Sequence, residues 1–309
     1  MTSLFAEFRR CSDSSIGAVC AVLICTGGIC ADAHAQTAPI PNFAPDDHTS
    51  WYPDRPAGDN FLPPESGPGP IMSRPGYPYV PNNGRDFAGS NPTYRIADLT
   101  NPILQPWVVE QMKRDNDGVL AGKVPFMARE RCYPGGVPEF DIYRRVGPPM
   151  LFFVQTPKEV LIIWRGDMQA RHIYMDVPHS EHPTPSWYGE SVGHYEGDTL
   201  VIDTIGQNTK TFVDNYRTPH TEQLHVIERF HMTDGKALVV DIHVEDPGAF
   251  TTPWNAVQSF ARWDKSTLFA KGDSLCAESA AYDYFNTGNY GASHVSDLAP
   301  IPQADKPDF

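Results

Sequence analysis

Eight short β-rich runs follow one another between Leu151 and Trp263: LFFVQ, EVLIIW, ARHIYM, SVGHYE, TLVIDT, EQLHVIERFHM, ALVVDIHVED and AVQSFARW. Branched and aromatic residues alternate with polar ones in several of them, the period of a strand with one buried face. The dipeptides Gly197–Asp198 and Asp234–Gly235 each suit a two-residue hairpin loop. Strands joined mainly to their sequence neighbours predict a mainly β fold, an antiparallel meander closing into a lipocalin-like barrel. A two-sheet sandwich is the alternative.

The preceding residues are built differently. Residues 36–100 hold thirteen of the thirty prolines and no sustained period. Proline fixes φ and removes a donor, so this stretch reads as an arm unable to supply a helix or a central strand. Its aromatics, Trp51, Tyr52, Phe61, Tyr77, Tyr79 and Phe87, would pin it to the body. In NPILQPWVVEQMKRDNDG the spacing of Leu104, Trp107, Val108 and Met112 predicts a helix over 103–117, ended by Gly118. Residues 101–309 then form one barrel domain with an N-terminal helix and an irregular C-terminal tail.

Arg9 and Arg10, the apolar run Ile16–Cys30 and the A-x-A in ADAHA describe a secretory signal over 1–35, cleaved near Ala35. The run is shorter than the ~18 apolar residues a membrane span needs. A periplasmic or secreted product, not inserted in the membrane, is expected. Of six cysteines, Cys132 and Cys276 remain after cleavage. In an exported chain such a pair points to one disulfide, with two buried thiols as the alternative. The formal net charge of −14 argues against nucleic acid and anionic surfaces as partners.

Candidate chemistry is densest in RHIYMDVPHSEHPTPSW, residues 171–187. His172, Tyr174 and Asp176 alternate on one face of a strand; Arg171, Ile173 and Met175 take the other. The strand runs into a proline-ordered loop with His179 and His182. Prolines 178, 183 and 185 exclude the helix on which zinc proteases present paired histidines. A phenol, a carboxylate and an imidazole at a barrel mouth are the parts of an acid–base site, although polar side chains at a turn are also ordinary. A two-residue turn at 234–235 would set Glu228 opposite Asp241 and Val226 opposite His243, so that one carboxyl of an enclosed pair is held neutral. Counting across Gly197–Asp198 places His194 diagonal to Asp203. No G-x-S-x-G, phosphate-cradling glycine loop or C-x-x-C pair is present.

The segments RCYPGGVPEF, QTPKEVLIIW, RHIYMDVPH, GHYEGDTLVIDT, HVIERF and VEDPGAFTTPW, in this order, resemble a large and mostly uncharacterised family of exported bacterial β-rich proteins. Its segments read approximately R-C-x-P-x-G-x-P, Q-T-P, R-x-I-Y-x-D-G-R-x-H, W-E-G-D-T-L-V-V-D-T, E-R-F and E-D-P…P-W. The resemblance implies that Tyr174, Asp176, His179, Asp203, Glu228, Asp246 and Trp254 occupy motif positions. DVPH stands where the family has D-G-R-x-H, Tyr195 where tryptophan is usual, and His243 where threonine is usual.

These readings converge on a lyase without a cofactor, acting by acid–base chemistry on a small apolar compound, aromatic or terpenoid. Decarboxylation, elimination, hydration and isomerisation all fit. Tyr174, Asp176, His179, Glu228 and His243 are the expected catalytic set. Asp203, His194, Asp241 and Arg171 are the expected substrate contacts. Two alternatives stay open: a metal-dependent hydrolase or lyase using His179, His182, Asp176 and His243, and a non-catalytic small-molecule binding protein.

Overall fold

The computed structural model describes residues 40–46, 49–54, 60–76, 95–121, 126–129, 133–142, 150–164, 169–234 and 236–263. The signal segment, Cys132, Cys276, Tyr77, Tyr79, Phe87 and the C-terminal tail lie outside them.

Nine strands close into one barrel: β1 (Ser50–Pro53), β2 (Leu151–Gln155), β3 (Glu159–Trp164), β4 (Gln169–Met175), β5 (Glu190–Glu196), β6 (Thr199–Ile205), β7 (His225–Thr233), β8 (Ala237–Glu245) and β9 (Trp254–Trp263). Each strand pairs with its sequence neighbours, and β1 joins β9 to complete the ring. Two features differ from the predicted antiparallel meander. The β4–β5 pair is parallel, Tyr174 facing Val192 and Met175 facing Gly193. Parallel neighbours need a crossover of about a dozen residues, which the loop 176–189 supplies. Gly189, at φ +66, admits the turn into β5 where a Cβ would lie 2.3 Å from the Ile205 carbonyl oxygen.

The second difference is the arm. It supplies a barrel strand, contrary to expectation. SWYP carries its proline at the last strand position, and Trp51 is fully enclosed, its indole N–H donating to the Phe43 carbonyl at 2.9 Å. Phe61, Ile71 and Ile96 are also buried. The helix α1 (Pro106–Leu120) begins at Pro106, where the missing N–H costs nothing, and runs past Gly118. Its buried line is Val108, Met112, Asn116 and Val119. Trp107 faces outward instead and donates to the Gly248 carbonyl at 2.7 Å. Asn116 receives the Ala97 N–H and donates to its carbonyl, both at 3.0 Å, binding the arm as a strand neighbour would. No helix among the described residues is long and apolar enough to cross a membrane.

Inward side chains fill the barrel. Phe153 meets Phe230 with ring centroids 5.9 Å apart, and Trp164 meets Phe260 at 6.3 Å. The short 3-10 helix Glu139–Ile142 brings Phe140 to 6.2 Å from Trp164, whose indole N–H donates to the Phe140 carbonyl at 2.6 Å. Small barrels are commonly packed this way.

Candidate functional site

Alternation in β4 is as the sequence predicts, but its faces are assigned by burial. Arg171, Ile173 and Met175 point in; His172 and Tyr174 point out, Tyr174 half-exposed. The β7–β8 register departs from the two-residue turn. The loop takes residues 234–236, with Asp234 at φ 51, so Thr233 pairs with Ala237. One extra residue moves every partner by one. Glu228 therefore faces Ile242 and not Asp241, and Ile227 rather than Val226 faces His243. Asp241 and His243 lie on the outer face, Glu228 on the inner one.

Inside, the Arg171 guanidinium grips Glu228 through two bonds, 2.7 and 2.5 Å, and both side chains are fully buried. Its remaining donors reach Thr204 Oγ1 at 2.8 Å and Ser191 Oγ at 3.2 Å. The 3-10 helix adds Asp141 and Glu139, and Arg129 stacks over Phe140. Asp141 and Glu228 are thus buried beside each other, with the Arg171 and Arg129 guanidinium groups close to Asp141. Ionised, Asp141 would have no donor for either oxygen. Burial, then the adjacent Glu228 carboxylate, hold its pKa well above the ordinary range, against the pull of Arg171 and Arg129. Protonated, Asp141 can donate to Glu228 instead of repelling it. An enclosed carboxyl pair does form around Glu228. Its partner is Asp141, from a different part of the chain.

On the outer face a second polar set crosses five strands. Asp203 Oδ1 of β6 receives two imidazoles, His179 Nε2 at 2.9 Å and His225 Nε2 at 3.0 Å. His179 Nδ1 faces Glu190 Oε1 at 3.1 Å, and the same oxygen accepts the Ser180 N–H at 2.6 Å. His225 pairs in register with Glu245, yet its Nδ1 stands 3.8 Å from Glu245 Oε2, beyond hydrogen-bond length. Glu245 Oε1 meets His243 Nε2 at 2.9 Å, and His243 Nδ1 meets Asn255 Oδ1 at 2.8 Å. The side chains of His179, His225 and Asp203 are 20, 31 and 36 % exposed, open to solvent without being free in it.

The electrostatics follow these contacts. The hydrogen bond to Asp203 raises the His225 pKa, against partial burial. Burial would raise Asp203, but the bonds from His225 and His179 outweigh it and hold the carboxyl below its usual value. Hydrogen bonds from Ser180, above all its hydroxyl, lower Glu190, and His179 lowers it further.

Of the residues singled out from sequence, this strip gathers His179, Asp203 and His243. Tyr174 lies on the outer side of β4, Asp176 follows the end of the strand in a turn at φ 55, and no described side-chain bond ties either to His179. His194 lies diagonal to Asp203 as the Gly197–Asp198 count requires, but bonds to Glu196 at 3.1 Å. Asp241 stands 3.7 Å from His231. Arg171 and Glu228 are enclosed on the other side of the sheet. His225, Glu190 and Glu245 were not foreseen. The loop's path across β5 and the β7 register join them to Asp203, and neither is written in local spacing. Among the described residues no three His, Cys, Asp or Glu side chains stand together as a metal site would require.

An open cleft of about 580 Å³ lies elsewhere, lined by Gly67, Met72, Asp98, Asn101, Ile103 and Thr251 among others. It holds one carboxylate and no imidazole. No family model, curated protein or solved structure matches the chain.

Proposed function

We propose that the chain is an acid–base enzyme of the lyase type, working at the imidazole–carboxylate strip around Asp203 on a small apolar compound. The observation that carries this reading is the convergence of two histidine Nε2 atoms on one aspartate oxygen at 2.9 and 3.0 Å. A carboxylate that fixes an imidazole by one nitrogen sets its tautomer and stabilises the charge it acquires, leaving the other nitrogen for a substrate. Partial exposure lets a solute reach the strip directly. Its carboxylates, Glu190, Asp203 and Glu245, meet histidines and Ser180 in the bonds above and no lysine or arginine, so an uncharged substrate suits it better than a carboxylate. Decarboxylation of an anionic substrate thus becomes the least favoured of the lyase reactions.

The test reads proton transfer itself, whatever product forms. The protein, prepared without the 1–35 segment, is incubated in D₂O with a panel of uncharged aromatic and terpenoid alcohols, ketones and alkenes. Mass spectrometry reads deuterium gained at carbon and water gained or lost. Catalysed exchange or dehydration of at least one class is expected; a panel inert beyond buffer controls contradicts the reading. The 580 Å³ cleft favours a second one, a binding protein without turnover. Saturable binding abolished by a bulky substitution at Thr251, with no exchange anywhere, would favour it.

A further inference from the structure

The two imidazoles on Asp203 are not equivalent, and resting on the function proposed above, we infer that His225 is the catalytic residue and His179 a positioning residue that clasps the 176–189 loop. His179 has a carboxylate on each ring nitrogen, Asp203 at 2.9 Å and Glu190 at 3.1 Å. Neither nitrogen is left to meet a substrate. What these bonds hold is the loop. Ser180 joins Glu190 through both its N–H and its hydroxyl, and farther along Ser186 N–H donates to the Gly206 carbonyl at 3.1 Å.

His225 is held by one nitrogen alone. Asp203 fixes Nε2–H at 3.0 Å, and Nδ1 points toward Glu245 across 3.8 Å without a hydrogen bond. The ring is 31 % exposed, so a substrate hydrogen can approach the Nδ1 lone pair from the solvent side. The groups facing this ring are Asp203 from β6, Glu245 from β8 and His179 from the loop by way of Asp203; His243 holds the far oxygen of Glu245. In the step assigned to it, Nδ1 takes a proton from the substrate C–H and becomes N–H. The electron pair left on carbon expels the neighbouring hydroxyl as the alkene forms, and the imidazolium returns its proton to that oxygen, so water leaves. Hydration is the reverse. No oxidant, reductant or further reactant enters. Asp203 balances the transient cation, as an orienting carboxylate does in other histidine bases.

Long-range ¹H–¹⁵N correlation spectra of the labelled protein, recorded from pH 5 to 9, read the protons directly. Neutral His225 is expected as the Nε2–H tautomer, with Nδ1 the bare nitrogen. Asp203→Asn is expected to lower its titration midpoint and mix the tautomers. In the D₂O assay His225→Asn should lose about 100-fold or more in exchange rate. His179→Gln should lose less than His225→Asn, with its loss tracking a new protease sensitivity of the 176–189 loop, and His179→Asn, placing an amide near Nδ1, should restore part of the protection through Glu190. A proton on His225 Nδ1 directed at Glu245, or a titration indifferent to Asp203→Asn, overturns the assignment whatever the exchange assay gives. Expected spectra together with an inert substrate panel would instead bring down the proposed function, and the catalytic role with it.

Discussion

Asp141→Asn should stabilise the barrel at neutral pH, although it alters a fully buried group beside an ion pair. Asp141 is buried beside the Glu228 carboxylate, and the native state holds its proton to higher pH than the unfolded chain, which releases it above its ordinary carboxylate pKa. A group whose folded pKa is raised contributes fully below the unfolded value and loses that contribution as pH rises toward the folded one. Each pH unit in this window costs the wild type about 1.4 kcal/mol. Asparagine has a permanent N–H to offer Glu228 and no proton to hold. The two proteins should therefore be close in stability near pH 4, and above it the gap should widen in favour of the variant by that amount per pH unit until the folded pKa is reached. Urea unfolding at each pH, with equal slopes in the two proteins, measures it; the pH at which the gap stops growing is the folded pKa of Asp141. A gap independent of pH, or a variant less stable throughout, would refute the shared-proton account.

Three other expectations follow from the same contacts. Glu228→Gln leaves Arg171 without its charge partner in a closed interior and should cost about 3–5 kcal/mol in urea unfolding, since one member of a buried pair is removed. Trp51→Ala empties the place that locks the arm strand between β2 and β9, and a loss of about 3–5 kcal/mol is expected from the same measurement. Asp203→Asn should destabilise most between about pH 4 and 6.5. The lowered Asp203 pKa keeps its contribution above the ordinary aspartate range, and the raised His225 pKa keeps its own below the ordinary histidine range and loses it as pH climbs further; thermal melts across pH 4–9 would read that window.

Eight of the nine strands were legible because each is a run of branched and aromatic residues bounded by turn residues, and pairing between sequence neighbours follows from short connections. The ninth was hidden. SWYP is four residues long, ends in proline and becomes a strand only because β2 and β9 present open edges on either side. The parallel β4–β5 step was hidden too, since HSEHPTPSWYG reads as a loop without saying where it goes. For the candidate site, alternation gave the correct residue sets on β4 and β7, while the question of which set faces inward needed the closed barrel. The extra residue at 234–236 then moved Glu228 from Asp241 to Ile242, and its carboxyl partner came from Asp141, 87 positions earlier in the chain. His179 and Asp203 could be named from their own segments; His225 could not, because its role depends on a diagonal contact between β6 and β7.

Chemistry on the outside of a filled barrel is the central claim, and a single comparison tests it most directly: the rate of solvent deuterium incorporation into a reactive panel compound by the His225→Asn and Asp141→Asn variants, each confirmed as folded. Outer-face chemistry predicts that His225→Asn loses about 100-fold or more while Asp141→Asn keeps the wild-type rate. Full activity in His225→Asn with exchange abolished in Asp141→Asn would put the reacting groups inside the barrel, at the Arg171–Glu228–Asp141 cluster, and contradict it.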